Sequence, residues 1–155
     1  MSKLHPGDKA PSFTGTDQHG KEVSLKDFKG RNLVLYFYPK DDTPACTAQA
    51  CDFRDNYAAL LSKGYEVVGV SADSGKSHRK FRDKYELPFT LLADEDKKIV
   101  EDYGVWGEKT LFGRKYMGIH RVTFVIDHKG VIKHIIEKVN TKNPARQVLD
   151  LEAAG

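Results

Sequence analysis

The six residues Leu33-Val34-Leu35-Tyr36-Phe37-Tyr38 are apolar at odd and even positions alike, the pattern of a central strand covered on both faces. A strand of that kind requires helices above and below it, and this requirement constrains the fold more than any other feature of the chain. Pro39 ends the run, because a proline donates nothing to a ladder. Four residues later, Thr43 and Pro44 announce a helix: Thr is a favoured N-cap, and Pro is pre-set for the first helical position. From there Cys46, Ala50, Phe53, Tyr57 and Leu60/Leu61 recur at helical spacing and form one apolar stripe, predicting a helix that runs to Lys63-Gly64.

Both cysteines of the chain lie on this helix. Cys46 is its third residue, inside the first turn, where unpaired N–H groups and the positive end of the dipole favour an anion. The thiolate is the reactive form of cysteine, so the position suits a nucleophile. Free cysteine is also a common small core residue, and the local pattern leaves that reading open. Cys51 follows five positions on. Five helical residues rise about 7.5 Å and turn about 140°, which sets the two Cα atoms roughly 8–9 Å apart. A disulfide needs about 7 Å or less, so the pair can bridge only if the helix unwinds first.

The rest of the chain repeats strand–helix alternation. Phe13 to Leu25 predicts a hairpin turning at Asp17-Gln18-His19-Gly20, followed by a short helical turn closed by Gly30. Glu66 to Ser71 is a second buried strand, parallel to the first across the cysteine helix. A basic helix from Ser77 to Tyr85, a short strand Thr90–Ala93 and a helix capped by Asp94 follow. Val105 to Gly118, with four glycines from Gly104 to Gly118, reads as irregular. Ile119–Ile126 and Val131–Val139 flank Asp127-His128-Lys129-Gly130 as a hairpin, and Asn143-Pro144 opens a last helix. The expectation is an α/β chain, with a mixed central sheet flanked by helices and an N-terminal β-hairpin, folded as one domain over residues 1–155.

The 155 residues suffice for a core without metal or disulfide support. Basic and acidic residues (25 and 22) are dispersed, and no basic stripe is interleaved with aromatics, which argues against nucleic-acid binding. No run reaches transmembrane length, and Met1 to Asp8 has no apolar leader, so no membrane association and a cytoplasmic setting are expected. In a reducing compartment two nearby cysteines point to catalysis rather than to a static staple. The six histidines are scattered, with no ligand spacing to either cysteine, so no metal is expected.

The segment Tyr38-Pro39-Lys40-Asp41-Asp42-Thr43-Pro44-Ala45-Cys46-Thr47-Ala48-Gln49-Ala50-Cys51-Asp52-Phe53-Arg54 resembles the active-site segment of peroxiredoxins. Cysteines five apart are similar to the peroxiredoxin Q (bacterioferritin comigratory protein) group, and the likeness runs along nearly the whole chain. The resemblance implies a thioredoxin-like fold and a thiol-dependent peroxidase for hydrogen peroxide and organic hydroperoxides. It places the peroxidatic role on Cys46 and the resolving role on Cys51, through an intramolecular disulfide that thioredoxin or a similar dithiol reduces. Thr43 would present its hydroxyl beside the sulfur, and Pro39 would wall the pocket against water. Arg121, within Tyr116-Met117-Gly118-Ile119-His120-Arg121-Val122-Thr123-Phe124, matches the family's distant arginine, although periodicity does not single it out among seven arginines. No cofactor is implied, and a monomer is expected. Gln49 stands where many relatives carry Glu, leaving no carboxylate there to pair with an arginine, and Ala45 stands where many have Gly. The alternative function is a thioredoxin-type thiol–disulfide oxidoreductase, against which the missing Cys-x-x-Cys and the presence of Thr43 both speak.

Overall fold

In a computed structural model, residues 3–154 are described. The strand at the centre is β3, and its environment explains its composition. The chain reaches it through β1 (Thr14–Thr16), β2 (Glu22–Ser24) and a 3-10 turn at Leu25–Phe28, and β3 itself spans Asn32–Phe37. Leu33, Leu35 and Phe37 point into one core, and Val34 and Tyr36 (with Tyr38 just beyond the strand) into a second on the opposite face. All six are at most 1% exposed, which is the reason both parities had to be apolar.

After β3 come α1 (Pro44–Asp55), α2 (Tyr57–Ser62), β4 (Tyr65–Ser71), α3 (Gly75–Tyr85), β5 (Thr90–Ala93) and α4 (Lys98–Asp102). The chain continues with β6 (Trp106–Leu111), β7 (Arg114–Ile119), β8 (Val122–Ile126), β9 (Ile132–Ile136) and α5 (Pro144–Ala154). Seven strands form one sheet in the order β2-β1-β5-β4-β3-β8-β9. The β5-β4-β3 core is parallel, and the pairs at both edges are antiparallel. Residues of α1, α3 and α5 (Ala50, Phe53, Phe81, Val148) cover the even face of β3, while Ile99 and Val100 of α4 and Phe28 cover the odd face. Gly69 of β4 pairs with Tyr36, whose ring lies over it: a Cβ at position 69 would stand 2.8 Å from Tyr36 Cζ.

Three expectations are corrected. The cysteine helix does not run unbroken to Lys63; it stops at Asn56 (φ −108°, ψ 7°), and α2 begins after it. The Asn56 amide donates to Asp52 O at 2.8 Å, a side-chain competitor for the helix's own carbonyl. Val105–Gly118 is not irregular: β6 and β7 pair over six positions and turn through Phe112 and Gly113, both at positive φ (51° and 77°), as a two-residue hairpin turn of the primed kind. Ile119 therefore belongs to β7, and the next hairpin begins at Val122. Among the described residues no helix is long and apolar enough to cross a membrane.

Candidate active site

The site is built where β3 ends and α1 begins. Tyr38 N–H still bonds to Val70 O (3.1 Å), and half-buried Pro39 then turns the chain out of the sheet. Thr43 occupies the N-cap position with extended backbone, and Thr47 N–H makes the first full-turn bond to Thr43 O at 2.8 Å. Cys46 is thus the third residue of α1, as its sequence position implied. One detail differs: the Thr43 hydroxyl caps no helical N–H but donates to Lys40 O at 2.8 Å, tying the loop to itself. Proline at the first helical position leaves one N–H fewer to be satisfied at this helix start.

Cys46 is 1% exposed and sits among Val34, Tyr36, Ala50 and Phe53, an environment that also suits an inert core thiol. What distinguishes it is a guanidinium. Arg121, in the two-residue link between β7 and β8, directs Nη2 to Cys46 Sγ at 3.3 Å and Nη1 to Gln49 Oε1 at 2.8 Å. Gln49 is fully buried one turn along α1 from Cys46, so helix spacing alone delivers sulfur and amide to the same arginine. The absence of a carboxylate at position 49 does not leave Arg121 unheld; the neutral amide oxygen holds it and keeps its charge uncancelled. A spacing of three residues from Cys46 was the sequence signal for this role of Gln49. Lys109 of β6 lies near the same charges: burial first, then the Arg121 charge, lower its pKa, while Cys46 raises it. Its ammonium donates to Ile119 O at 2.9 Å.

Cys51 is half-buried on the same intact helix, and both thiols are free. Burial pushes its pKa up, with Arg54 opposing. Asp41, ahead of the helix, is buried and receives Tyr38 Oη at 2.5 Å, Ser77 Oγ at 2.7 Å and His78 Nδ1 at 2.7 Å. Burial would lower the His78 pKa, but the hydrogen bond and charge of Asp41 and the Leu92 carbonyl more than offset it, and the net shift is upward. Asp41, Asp73 and His78 bring ligand-type atoms within 4.8 Å of one another. The atoms are already engaged: His78 lies between Asp41 and Leu92 O (2.8 Å), and Asp73 accepts from Asp41 N–H (2.8 Å) and Ser71 Oγ (2.7 Å). A hydrogen-bonded cluster accounts for them without a metal.

Residues 6–135 match the sequence profile of the AhpC/TSA family. The chain belongs to that family. Within it, the chain is 50% identical over 146 residues to a putative peroxiredoxin bcp of Coxiella burnetii (94% of this chain, 97% of the relative). It is 46% identical over 150 residues to peroxiredoxin Bcp of Escherichia coli K12 (97% and 96%). Among solved structures, a peroxiredoxin Q of Xylella fastidiosa superposes with a TM-score of 0.92 at 30% identity, covering 99% of this chain and 98% of the other. The bacterioferritin comigratory protein of Xanthomonas campestris, described for its alkyl peroxide reduction activity, gives 0.86 at 31% identity, with 99% and 98% covered. The chain is a peroxiredoxin of the Bcp/peroxiredoxin Q group, a thiol-dependent peroxidase on a thioredoxin-like fold. Of the five residues that the peroxiredoxin pattern selected, Cys46 and Arg121 are in contact, Thr43 and Pro39 line the approach to α1, and Cys51 lies further along α1.

Proposed function

We propose that Cys46 is the peroxidatic cysteine and Cys51 the resolving one, in a cycle that reduces hydrogen peroxide and organic hydroperoxides. The Cys46 thiolate attacks the terminal oxygen of R–O–O–H, the O–O bond breaks, and R–O⁻ leaves to take up a proton as the sulfur becomes a sulfenic acid. Arg121 stabilises the thiolate and faces the oxygens being separated, and the N–H groups of the first turn of α1 add to the same field. The first half of α1 then unwinds, the Cys51 thiol displaces the sulfenic hydroxyl as water, and a Cys46–Cys51 disulfide forms. A thioredoxin-like dithiol in the cytoplasm returns both thiols by exchange. Thr43 and Pro39 form the rim that keeps bulk water from the sulfur, and the enzyme works as a monomer. The Xanthomonas relative's activity toward alkyl peroxides supports including organic hydroperoxides.

The observation that carries this reading is the guanidinium 3.3 Å from a buried sulfur in the first turn of a helix. The two cysteine variants test it. Cys46→Ser is expected to lose peroxide consumption altogether. Cys51→Ser is expected to consume one equivalent and stop as a sulfenic acid. Stopped-flow consumption with mass spectrometry of the thiols measures both, and a full first turnover in Cys46→Ser overturns the assignment.

A further inference from the structure

The cysteine roles above require α1 to open, and the structure places anchors at both ends of the segment that must move. Ahead of it, the loop at 38–42 is fastened to α3 on two sides. Asp41 takes hydrogen bonds from Ser77 Oγ and His78 Nδ1 of α3, each at 2.7 Å, and Asp42 takes Lys84 Nζ at 2.8 Å and Tyr85 Oη at 2.7 Å. Asp42 holds φ at 57°, a left-handed backbone that is costly for a residue other than glycine and persists only when its surroundings fix it. Behind the segment, Asp52 Oδ2 accepts Ala145 N–H at the start of α5 (3.1 Å), and Arg54 Nη1 donates to Tyr85 O at 2.8 Å. Both cysteines lie between Asp42 and Asp52.

His78 is the centre of the forward anchor. It is fully buried, with Nε2 2.8 Å from Leu92 O of β5 and Nδ1 2.7 Å from the Asp41 carboxylate. Both partners are acceptors, so the ring nitrogens and the carboxylate share two protons, and a side chain that donates in one direction only cannot keep both contacts. We propose that His78 is a positioning residue for the cysteine cycle: acting through Asp41, it fixes the loop ahead of Cys46 on α3 in the thiol and disulfide forms alike. Unwinding is thereby confined to residues 43–51, and the rim at Pro39 stays in place while Cys51 approaches. The inference rests on the cysteine roles proposed above.

The test has two arms. Hydrogen exchange is followed on the reduced wild-type protein and on the protein oxidised with one equivalent of hydrogen peroxide. Whether the Cys46–Cys51 disulfide forms at all tests the cysteine roles; where protection is lost tests the anchors. Loss confined to amides of residues 43–51 is expected, and equal loss across 38–42 overturns the proposal. In the second arm, the peroxide step and the disulfide-forming step are timed separately by rapid quench in His78→Gln and in the milder Ser77→Ala. Expected is a slower peroxide step, roughly ten- to a hundredfold in His78→Gln and on the order of threefold in Ser77→Ala, because a displaced rim misaligns the attack. The disulfide step is expected not to slow. Val23→Ala, in β2 at the far edge of the sheet, serves as a control for lost stability and is expected to leave the peroxide step unchanged. If His78→Gln fails to fold, Ser77→Ala and the exchange pattern decide. A peroxide step within 1.5-fold of wild type in Ser77→Ala, or one slowed equally by Val23→Ala, overturns the role of the clamp.

Discussion

Replacing Arg121 by Lys separates charge from geometry at the sulfur. The guanidinium reaches Cys46 Sγ (3.3 Å) and Gln49 Oε1 (2.8 Å) at once, a fork that an ammonium cannot reproduce. At an effective dielectric of about 20, a unit charge 3.3 Å from the sulfur is worth about 5 kcal/mol, and one drawn back to about 5 Å is worth about 3 kcal/mol. The difference, about 2 kcal/mol, corresponds to at most roughly 30-fold in the stabilisation of negative charge. Part of it returns, because a less stabilised thiolate is more nucleophilic, with a Brønsted coefficient of about 0.4–0.5. The net expectation is a second-order rate constant for the peroxide step lowered roughly 5- to 20-fold, with the disulfide-forming step unaffected. Gln49→Ala frees the guanidinium from its second contact, and Arg121→Lys has already surrendered that contact. The two substitutions should therefore combine less than additively. Stopped-flow oxidation of the single and double variants at pH 7 measures this. A rate for Arg121→Lys within twofold of wild type, or strict additivity with Gln49→Ala, refutes the reasoning.

Three further outcomes follow from the same structure. Gly69→Ala puts a Cβ 2.8 Å from Tyr36 Cζ and 3.0 Å from Leu91 Cδ2, and overpacking of this kind should cost about 1–3 kcal/mol in urea unfolding. Glu152 accepts hydrogen bonds from Tyr65, Lys133 and His134, and although burial pushes its pKa up, these bonds carry it below the ordinary 4.5. Its folded value lies below its unfolded one, so its stabilisation is full above 4.5 and disappears as pH falls through the folded value. Glu152→Gln should thus lower stability by about 1–2 kcal/mol at pH 7 and by progressively less in acid, as followed by the urea midpoint. Exposed Ala45 is the second residue of α1, and Ala45→Gly should weaken the first turn by less than about 1 kcal/mol. Disulfide formation should then speed up by no more than roughly fivefold, and Cys46 should resist overoxidation in a peroxide titration read by mass spectrometry.

What was legible in the sequence is what burial and helix entry dictate. The run Leu33–Tyr38 is apolar at both parities because each parity faces a core, and Thr43-Pro44 marks the start of α1 to the residue. The β6–β7 ribbon was not legible. It is largely exposed, so neither face is written in apolar residues, and its turn uses Phe112-Gly113 where Asn-Gly is the usual signal. Of the four glycines that suggested irregularity, Gly104 and Gly113 hold positive φ, and Gly107 and Gly118 serve packing. A Cβ at Gly118 would stand 3.1 Å from Lys109 Cδ, and one at Gly107 3.3 Å from His120 Nε2, so the glycines leave room for both side chains along the ribbon. Arg121, selected only through the family resemblance, and His78 were illegible in the local pattern for another reason. Their partners lie far along the chain, 75 residues away for Cys46 and 37 for Asp41, and no local pattern reports a contact of that separation.

The charges around Cys46 also gain a common explanation from those distant contacts. A Lys-Asp-Asp loop just ahead of the thiolate proposed at Cys46 looks unfavourable, because like charges nearby disfavour an anion. Each acid, however, is matched by a basic residue of α3: Asp41 by His78 and Asp42 by Lys84. The Lys84 and Tyr85 hydrogen bonds lower the Asp42 pKa, so it remains a carboxylate whose charge is directed toward α3. On the other side of the sulfur, among the described residues, no carboxylate forms an ion pair with Arg121, whose second contact is the neutral amide of Gln49. Lys109, half-buried and tied to Ile119 O, adds positive charge to the same region. Negative charge is thus paired off where the loop is held, and positive charge is left over beside the Cys46 sulfur. This division of charge suits the role proposed for Cys46, and it depends on α3 as much as on the helix that carries the cysteines.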